Sequence, residues 1–251
     1  MKPEAHEWKA VLDSYKYPVD LREYAFRTTH KGWFERTTGK GGREETIAFE
    51  EDFRRHAPDA LEAWFEVVFW KLASQRQNRN RTTQAIADHL PKHTTAGELC
   101  RTCGEYVHSR SESEARTRFE AFHALFGLRT DSIATVATLP AFMDPNRFAM
   151  VDTRIAKWVG VAMHDHNISD PSGVQLVRPK FLDSKNTVLK MSDFDFMATW
   201  IRWCRYNAEK LTRLGNGFTW RARDVEMAVF CAWGEKKEKH PKLKLPPIPS
   251  R

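Results

Sequence analysis

Long apolar runs are missing from this sequence. No stretch approaches the roughly 18 apolar residues that identify a membrane-spanning helix. The first residues, MKPEAHEWK, also have no apolar core of the kind found in a signal peptide. We therefore expect an intracellular protein that does not insert into a membrane.

Cysteine is scarce as well. Only four of the 251 residues are cysteines: Cys100, Cys103, Cys204 and Cys231. The one C-x-x-C pair lies in a segment with a helical pattern, which favours buried or surface thiols and keeps a zinc pair as the alternative. His164, Asp165 and His166 are adjacent and have no third partner at a defined spacing, so we interpret them as a surface turn. We expect no metal and no cofactor.

Acidic residues do not balance the basic ones. The chain has 40 Lys and Arg against 33 Asp and Glu, a formal net charge of +7 and a pI near 9.3. Lys and Arg along a surface gain free energy from counterion release on DNA, so this charge favours a polyanion as partner. A basic charge without any particular partner is the alternative. The 41% hydrophobic residues, with 9 Trp and 16 Phe, suffice for one large or two modest globular cores.

The clearest local pattern spans residues 119–137. Apolar residues recur at helical spacing up to Phe126, Gly127 interrupts the pattern, and the helical spacing resumes at Ile133. Glycine is the residue that adopts a positive φ at least cost, so the pattern predicts a helix-hairpin-helix. The N–H groups and helix N-terminus of such a hairpin suit a phosphate rather than a particular base.

The next segment contains Pro140 and Pro145, which predict a loop. The apolar residues 148–151 then lead to Asp152, which opens another helix. Both features have ordinary structural explanations, since glycine is a common helix C-cap and aspartate a common N-cap.

Together the two patterns resemble a known family. FGLRTDSIATVAT followed by FAMVDTRIAKWV is similar to the signature of the helix-hairpin-helix base-excision DNA glycosylases, where an aspartate in a V-D-T-[HR]-[IV] segment follows the hairpin. The resemblance implies an all-α fold, with two helical lobes flanking a cleft for DNA and an extruded base. It also implies Asp152 as the catalytic carboxylate, and Gly127, Arg129 and Thr130 as contacts to DNA.

The chain departs from the family pattern at two positions. Arg129 stands where the family usually has a second hairpin glycine, which changes the expected phosphate contact. Asp131 stands where bifunctional members carry a catalytic lysine, and an aspartate cannot form a Schiff base. The resemblance therefore implies a monofunctional enzyme that hydrolyses the N-glycosidic bond of a flipped-out base and leaves an abasic site. The four closely spaced cysteines that hold an iron-sulfur cluster in some members are absent.

The most apolar helix is predicted over residues 59–75, DALEAWFEVVFWKLASQ, and should be fully buried. A polar and basic run without acidic residues follows at 74–81. The LASQ end resembles the L-[SA]-x-Q segment with which these glycosylases enter the duplex. The resemblance implies that Gln75 fills the gap left by the base and that Arg76, Arg79 and Arg81 contact phosphates. A solvated helix end with a capping loop is the alternative.

Aromatic residues supply candidates for a base pocket. Trp33 lies in the glycine-rich, basic stretch HKGWFERTTGKGGREE, where it could stack on a base or wedge into a duplex. Simple packing is the alternative. Trp64, Trp70 and Phe148 are the other candidates, and the sequence does not choose among the four.

The remaining pattern predicts short helices, with no convincing strand. These helices are expected at 3–17, from Thr82 or Thr83 to Leu90 before Pro91, from Thr94 or Thr95 to about 108, from Ser111 or Ser113 into the hairpin, at 193–214 and at 219–233, with residues 161–192 irregular. We assign one lobe to residues 48–150 and the other to residues 1–47 with 151–235. The charged, proline-rich tail 236–251 is expected to be disordered.

The expected partner is double-stranded DNA with a modified, damaged or mismatched base, bound by a monomer that associates with the nucleoid through DNA. A DNA-binding module that has kept the hairpin and lost the chemistry is one alternative. A helical interaction protein whose basic charge is incidental is another.

Overall fold

A computed structural model describes residues 3–17, 19, 41–73, 75–128, 132–185, 187–215, 217–234 and 239–248 of the chain. These residues form helices, turns and loops without a β-strand, which confirms the all-α class. The α-helices are α1 (Pro3–Asp13), α2 (Arg43–His56), α3 (Leu61–Lys71), α4 (Arg76–His93), α5 (Ala96–Val107), α6 (Glu112–Ala124), α7 (Thr138–Met143), α8 (Thr153–Ser169), α9 (Phe194–Leu214) and α10 (Ala222–Trp233). Two 3₁₀ helices lie at Lys180–Asp183 and Met191–Asp193. Within the described ranges, every helix is too short or too polar to cross a membrane.

The chain divides into two compact units. The middle unit comprises Lys16–Met143, and the terminal unit comprises Met1–Tyr15 with Asp144–Arg251. Each unit has its own aromatic core, as a chain with this many Trp and Phe residues allows.

The core of the middle unit is built around α3. Every side chain from Ala63 to Trp70 is buried, which confirms the burial predicted from its apolar residues. The Trp64 ring contacts Phe53 edge-on at 5.1 Å, and its indole N–H donates to the carbonyl of Ala57 at 2.9 Å. The Trp70 ring packs against Phe142 at 5.1 Å. The helix itself ends at Lys71, earlier than predicted.

The helix α4 starts earlier and ends later than the sequence suggested. We predicted a start at Thr82 or Thr83 and an end at Pro91, and both predictions are wrong. Gln75 occupies the N-cap position, the Arg79 N–H donates to the Gln75 carbonyl at 2.7 Å, and the helix continues to His93. The polar run 76–81 contains good helix formers such as Arg and Gln. Pro91 lies in the last turn, where the lost N–H removes only one hydrogen bond.

The two ends of the predicted hairpin are described. Ser111, one of the two predicted caps, accepts a hydrogen bond from the Glu114 N–H at 3.2 Å and caps α6. Gly127 has a φ of +57°, as predicted. Regular helix resumes only at Thr138, after a series of turns. Pro140 is the third residue of α7 rather than part of a loop, so that prediction is wrong. The first turn of a helix needs no N–H from this position, which makes proline tolerable there.

The core of the terminal unit is formed by α1, α8, α9 and α10, which contact one another in the pairs α9–α10, α1–α10 and α8–α10. The predicted surface turn at residues 164–166 is wrong, because α8 continues through it to Ser169. His166 follows Trp158 by two helical turns and therefore lies on the same buried face. Its ring packs against Trp158 and Trp203, with centroids 5.1 and 5.4 Å away.

The C-terminal segment also differs from the prediction of disorder. Residues 239–248 pack on the terminal unit, with Leu245 and Ile248 buried. Partners far away in the sequence hold this segment, and composition alone does not reveal them.

Candidate active site

The segment that leads to Asp152 is held by the N-terminus of α10. The Ala222 N–H donates to the carbonyl of Asn146 at 3.2 Å, and the Arg223 N–H donates to the carbonyl of Pro145 at 3.1 Å. The first N–H groups of a helix have no partner within the helix, so these carbonyls satisfy them. The start of the segment is thereby fixed to a rigid element.

The following residues run through the core of the terminal unit. Phe148, Ala149, Met150 and Val151 are all buried. The indole N–H of Trp200 donates to the carbonyl of Met150 at 2.9 Å, which pairs a buried backbone acceptor with a buried donor. The backbone two residues before Asp152 is therefore anchored in the core.

Asp152 caps α8, as its position before Thr153 predicted. Its backbone is extended, with φ −153° and ψ −177°, and its Oδ1 accepts hydrogen bonds from the Arg154 and Ile155 N–H groups at 2.8 and 2.9 Å. The carboxylate also interacts favourably with the positive end of the helix dipole. Asp152 is half-buried, so the structure presents a carboxylate of fixed orientation that is still accessible from outside.

Arg154 brings a positive charge to the same turn, and sequence reasoning did not single it out. Its guanidinium lies 4.4 Å from the centroid of the Phe230 ring, and its Nη1 donates to the carbonyl of Gly234 at 3.1 Å. Both contacts come from the end of α10, far away in the sequence. The sequence signals were the place of Arg154 in the V-D-T-[HR]-[IV] segment and its position in the first turn of a predicted helix, and an arginine at that position is a common surface feature.

The aromatic candidates are divided between the two units. Phe148 is buried in the segment before Asp152. Trp64 and Trp70 are 0% and 1% exposed in the core of the middle unit, so their rings offer no free face to a base. Trp33 lies outside the described residues.

The basic run of α4 has mixed surroundings. Gln75 is half-buried at the N-cap, where its N–H donates to the carbonyl of Leu72 at 2.7 Å. The guanidinium of Arg79 lies over the Phe69 ring at 4.3 Å, so its position is set partly by packing. Arg81 is exposed, and the structure does not describe the side chain of Arg76.

Two histidines that sequence reasoning missed surround the Gly127 turn. A Cβ at Gly127 would meet the His89 ring at 2.6 Å, so glycine is required for space as well as for φ. His123, at the end of α6, donates from Nε2 to the carbonyl of Ser132 at 2.9 Å and so links the two ends of the turn. Arg129, Thr130 and Asp131 lie outside the described residues.

Neither a metal site nor a relative identifies this arrangement. Among the described residues, no group of three or more His, Cys, Asp or Glu side chains is placed to hold a metal ion. Comparison of the chain with models of known protein families, with curated proteins and with solved structures gave no match.

Proposed function

We propose that the protein is a monofunctional DNA glycosylase. It hydrolyses the N-glycosidic bond of a flipped-out, damaged or modified base in double-stranded DNA and leaves an abasic site. The observation that carries this proposal is the half-buried carboxylate of Asp152, which two backbone N–H groups hold through Oδ1. The resemblance of the surrounding sequence to helix-hairpin-helix glycosylases gives this carboxylate its proposed role.

The reaction needs a fixed negative charge beside C1′. As the bond from C1′ to the base nitrogen breaks, its electron pair leaves with the base and C1′ gains oxocarbenium character. A carboxylate held in place stabilises that charge without reorganising during the reaction. Water then adds to C1′, and the carboxylate accepts the proton that the water loses. Arg154 acts as a positioning residue, because its N–H holds Oδ1 and its guanidinium ties the turn to Gly234.

The proposal assigns the contacts with DNA to both units. In the middle unit, Gln75 fills the gap left by the base, and the remaining contacts to DNA come from Arg76, Arg79, Arg81, Gly127, Arg129 and Thr130. In the terminal unit, Phe148 is the aromatic candidate closest in sequence to Asp152, and at 9% it is more exposed than Trp64 or Trp70, so we favour it as the base contact. The burial of Trp64 and Trp70 argues against their lining a pocket. The net charge of +7 supports a polyanionic partner.

The test is to incubate the full chain with a panel of duplexes that carry oxidised, alkylated, deaminated or bulkily modified bases, and to detect released bases by mass spectrometry. We expect base release by the wild type and a rate at least about a hundredfold lower for Asp152→Asn, with duplex binding unchanged. Asparagine still caps a helix, so this variant should fold. Asp144→Asn, which removes a half-buried carboxylate from the same unit, is the matched control and should keep the wild-type rate.

The possible failures of this test are distinguishable. Wild-type rates in Asp152→Asn would end the catalytic assignment. Salt-dependent duplex binding without release of any base would favour a DNA-binding module that has lost the chemistry. Absence of both would leave a helical interaction protein.

A further inference from the structure

The C-terminal segment 239–248 is fixed to the terminal unit by its backbone. The indole N–H of Trp8 donates to the carbonyl of Pro246 at 2.9 Å, and the ammonium of Lys210 donates to the carbonyl of Ile248 at 3.0 Å. The Leu243 N–H donates to the carbonyl of Ala232 at 3.0 Å. Three elements, α1, α9 and α10, thus hold one segment.

The contact with Lys210 belongs to a buried ion pair. The Lys210 ammonium also donates to Oδ2 of Asp170 at 2.7 Å, and both side chains are less than a tenth exposed. Burial alone would raise the pKa of Asp170, but hydrogen bonds from Lys210 and Tyr206 lower it below its ordinary value. The N–H donors of a buried ammonium need acceptors, so the carbonyl of Ile248 helps to satisfy a group that would be costly to leave unpaired.

The docked segment presents its three lysines outward. Leu245 and Ile248 are buried, whereas Lys239, Lys242 and Lys244 are exposed. Residues 239–248, KHPKLKLPPI, include no acidic residue. The outward side of the segment therefore carries a strip of three positive charges on a held backbone, with the 42% exposed Leu243 between Lys242 and Lys244.

A short series of contacts connects this strip with Asp152. The side chain of Lys242 lies against Gly234, where a Cβ would meet the Lys242 Cδ at 2.5 Å, and Gly234 has a φ of +81°. The carbonyl of Gly234 accepts the hydrogen bond from Arg154. The Arg154 N–H in turn holds Oδ1 of Asp152. Three successive contacts thus link Lys242, the middle lysine of the strip, to the candidate carboxylate within the terminal unit.

We propose that Lys239, Lys242 and Lys244 form a second phosphate-contact surface, which holds the DNA backbone beside Asp152. This inference rests on the proposed function. Three ammonium groups on a fixed backbone suit a line of phosphates, and each phosphate neutralised releases counterions. The strip adds affinity without sequence preference, because phosphate contacts carry no information about the bases.

The test is the salt dependence of duplex binding by the full chain. A variant with Lys239, Lys242 and Lys244 all replaced by Gln loses the charges and keeps side chains of similar length. If each lysine contacts one phosphate, the slope of log K against log salt should fall in magnitude by up to about 3. The matched control replaces Lys180, Lys185 and Arg205 by Gln, which removes three exposed charges from the same unit. This control should change the slope by less than one.

The outcomes separate this inference from the proposed function. Suppose that the wild type binds duplex in a salt-dependent manner and releases bases, but the Lys variant keeps the wild-type slope. The proposed phosphate contacts of the strip are then wrong, and the glycosylase proposal stands. If the wild type neither binds duplex nor releases bases, both fail. Hydrogen exchange of the free protein tests the docking itself. The Leu243 amide should be protected, and exchange at the rate of an unstructured peptide would overturn the inference.

Discussion

The burial of His166 should make the stability of the terminal unit depend on pH. The ring lies among Trp8, Trp158 and Trp203, with centroid distances of 6.3, 5.1 and 5.4 Å. Burial lowers the pKa of His166 from 6.5 to about 4, against the opposing effects of the neighbouring Asp165 and a hydrogen bond with the backbone of Leu245. The folded protein therefore keeps this ring neutral at a pH where the unfolded chain has already protonated it.

The sign and size of the effect follow from linkage. Between pH 6.5 and about 4 the unfolded state binds one proton more than the folded state at His166, so the free energy of unfolding decreases as the pH falls through this window. A difference of one pKa unit corresponds to ~1.4 kcal/mol. From pH 7 to pH 5 the loss due to this one group is about 2 kcal/mol, and it approaches about 3 kcal/mol near pH 4.

Urea denaturation at pH 7 and pH 5, followed by tryptophan fluorescence, measures this loss in the wild type and in His166→Gln. We expect the wild type to lose about 2 kcal/mol more than the variant between the two pH values. His164→Gln removes an exposed histidine from the same helix and should behave as the wild type does. Equal pH dependence in the wild type and His166→Gln, or an NMR titration of His166 near its ordinary pKa, would refute the reasoning.

Two further predictions concern the hairpin and the product. Gly127→Ala should lower the free energy of unfolding by about 1–2 kcal/mol from the positive φ alone. The contact of the new Cβ with the His89 ring should add a further loss, which the second substitution His89→Ala should restore. The control Gly104→Ala places its Cβ where no neighbour lies and should not destabilise the protein. The product should be an intact strand with an abasic site, because no lysine lies between Lys92 and Lys157, and Lys157 points away from Asp152 by about 140° around α8. Borohydride should trap no adduct, and an adduct that disappears in Lys157→Ala would contradict this.

Features that depend only on residues close together in the chain could be predicted from the sequence. Thr95 and Ser111 each accept a hydrogen bond from the N–H three residues later, and this pattern can be read without knowing the fold. The positive φ of Gly127 is equally local. The burial of α3 followed from apolar residues around its whole circumference.

Features that depend on contacts between residues far apart in the chain could not be predicted from the sequence. The tail has the composition of a disordered segment, yet the Trp8 indole reaches the carbonyl of Pro246 across 238 positions. His166 belongs to a polar tripeptide, and only the tryptophans of the folded unit show why its ring is buried. The start of α4 was misplaced for a related reason, since a polar run gives no amphipathic period by which to find a helix start.

Asp152 has a local role as a helix cap and a proposed role in catalysis, and one variant separates the two roles. Its capping role is local and was predicted, but capping does not require a charge, because asparagine caps a helix about as well as aspartate. Replacing Asp152 by Asn should therefore cost the fold only the charge–dipole interaction, about 0.3–1 kcal/mol. A hundredfold slower base release corresponds to about 2.7 kcal/mol of transition-state stabilisation. If the loss of transition-state stabilisation reaches about 2.7 kcal/mol while the free energy of unfolding falls by only about 0.3–1 kcal/mol, the negative charge stabilises the transition state. If the two losses are similar, Asp152 acts only as the cap of α8.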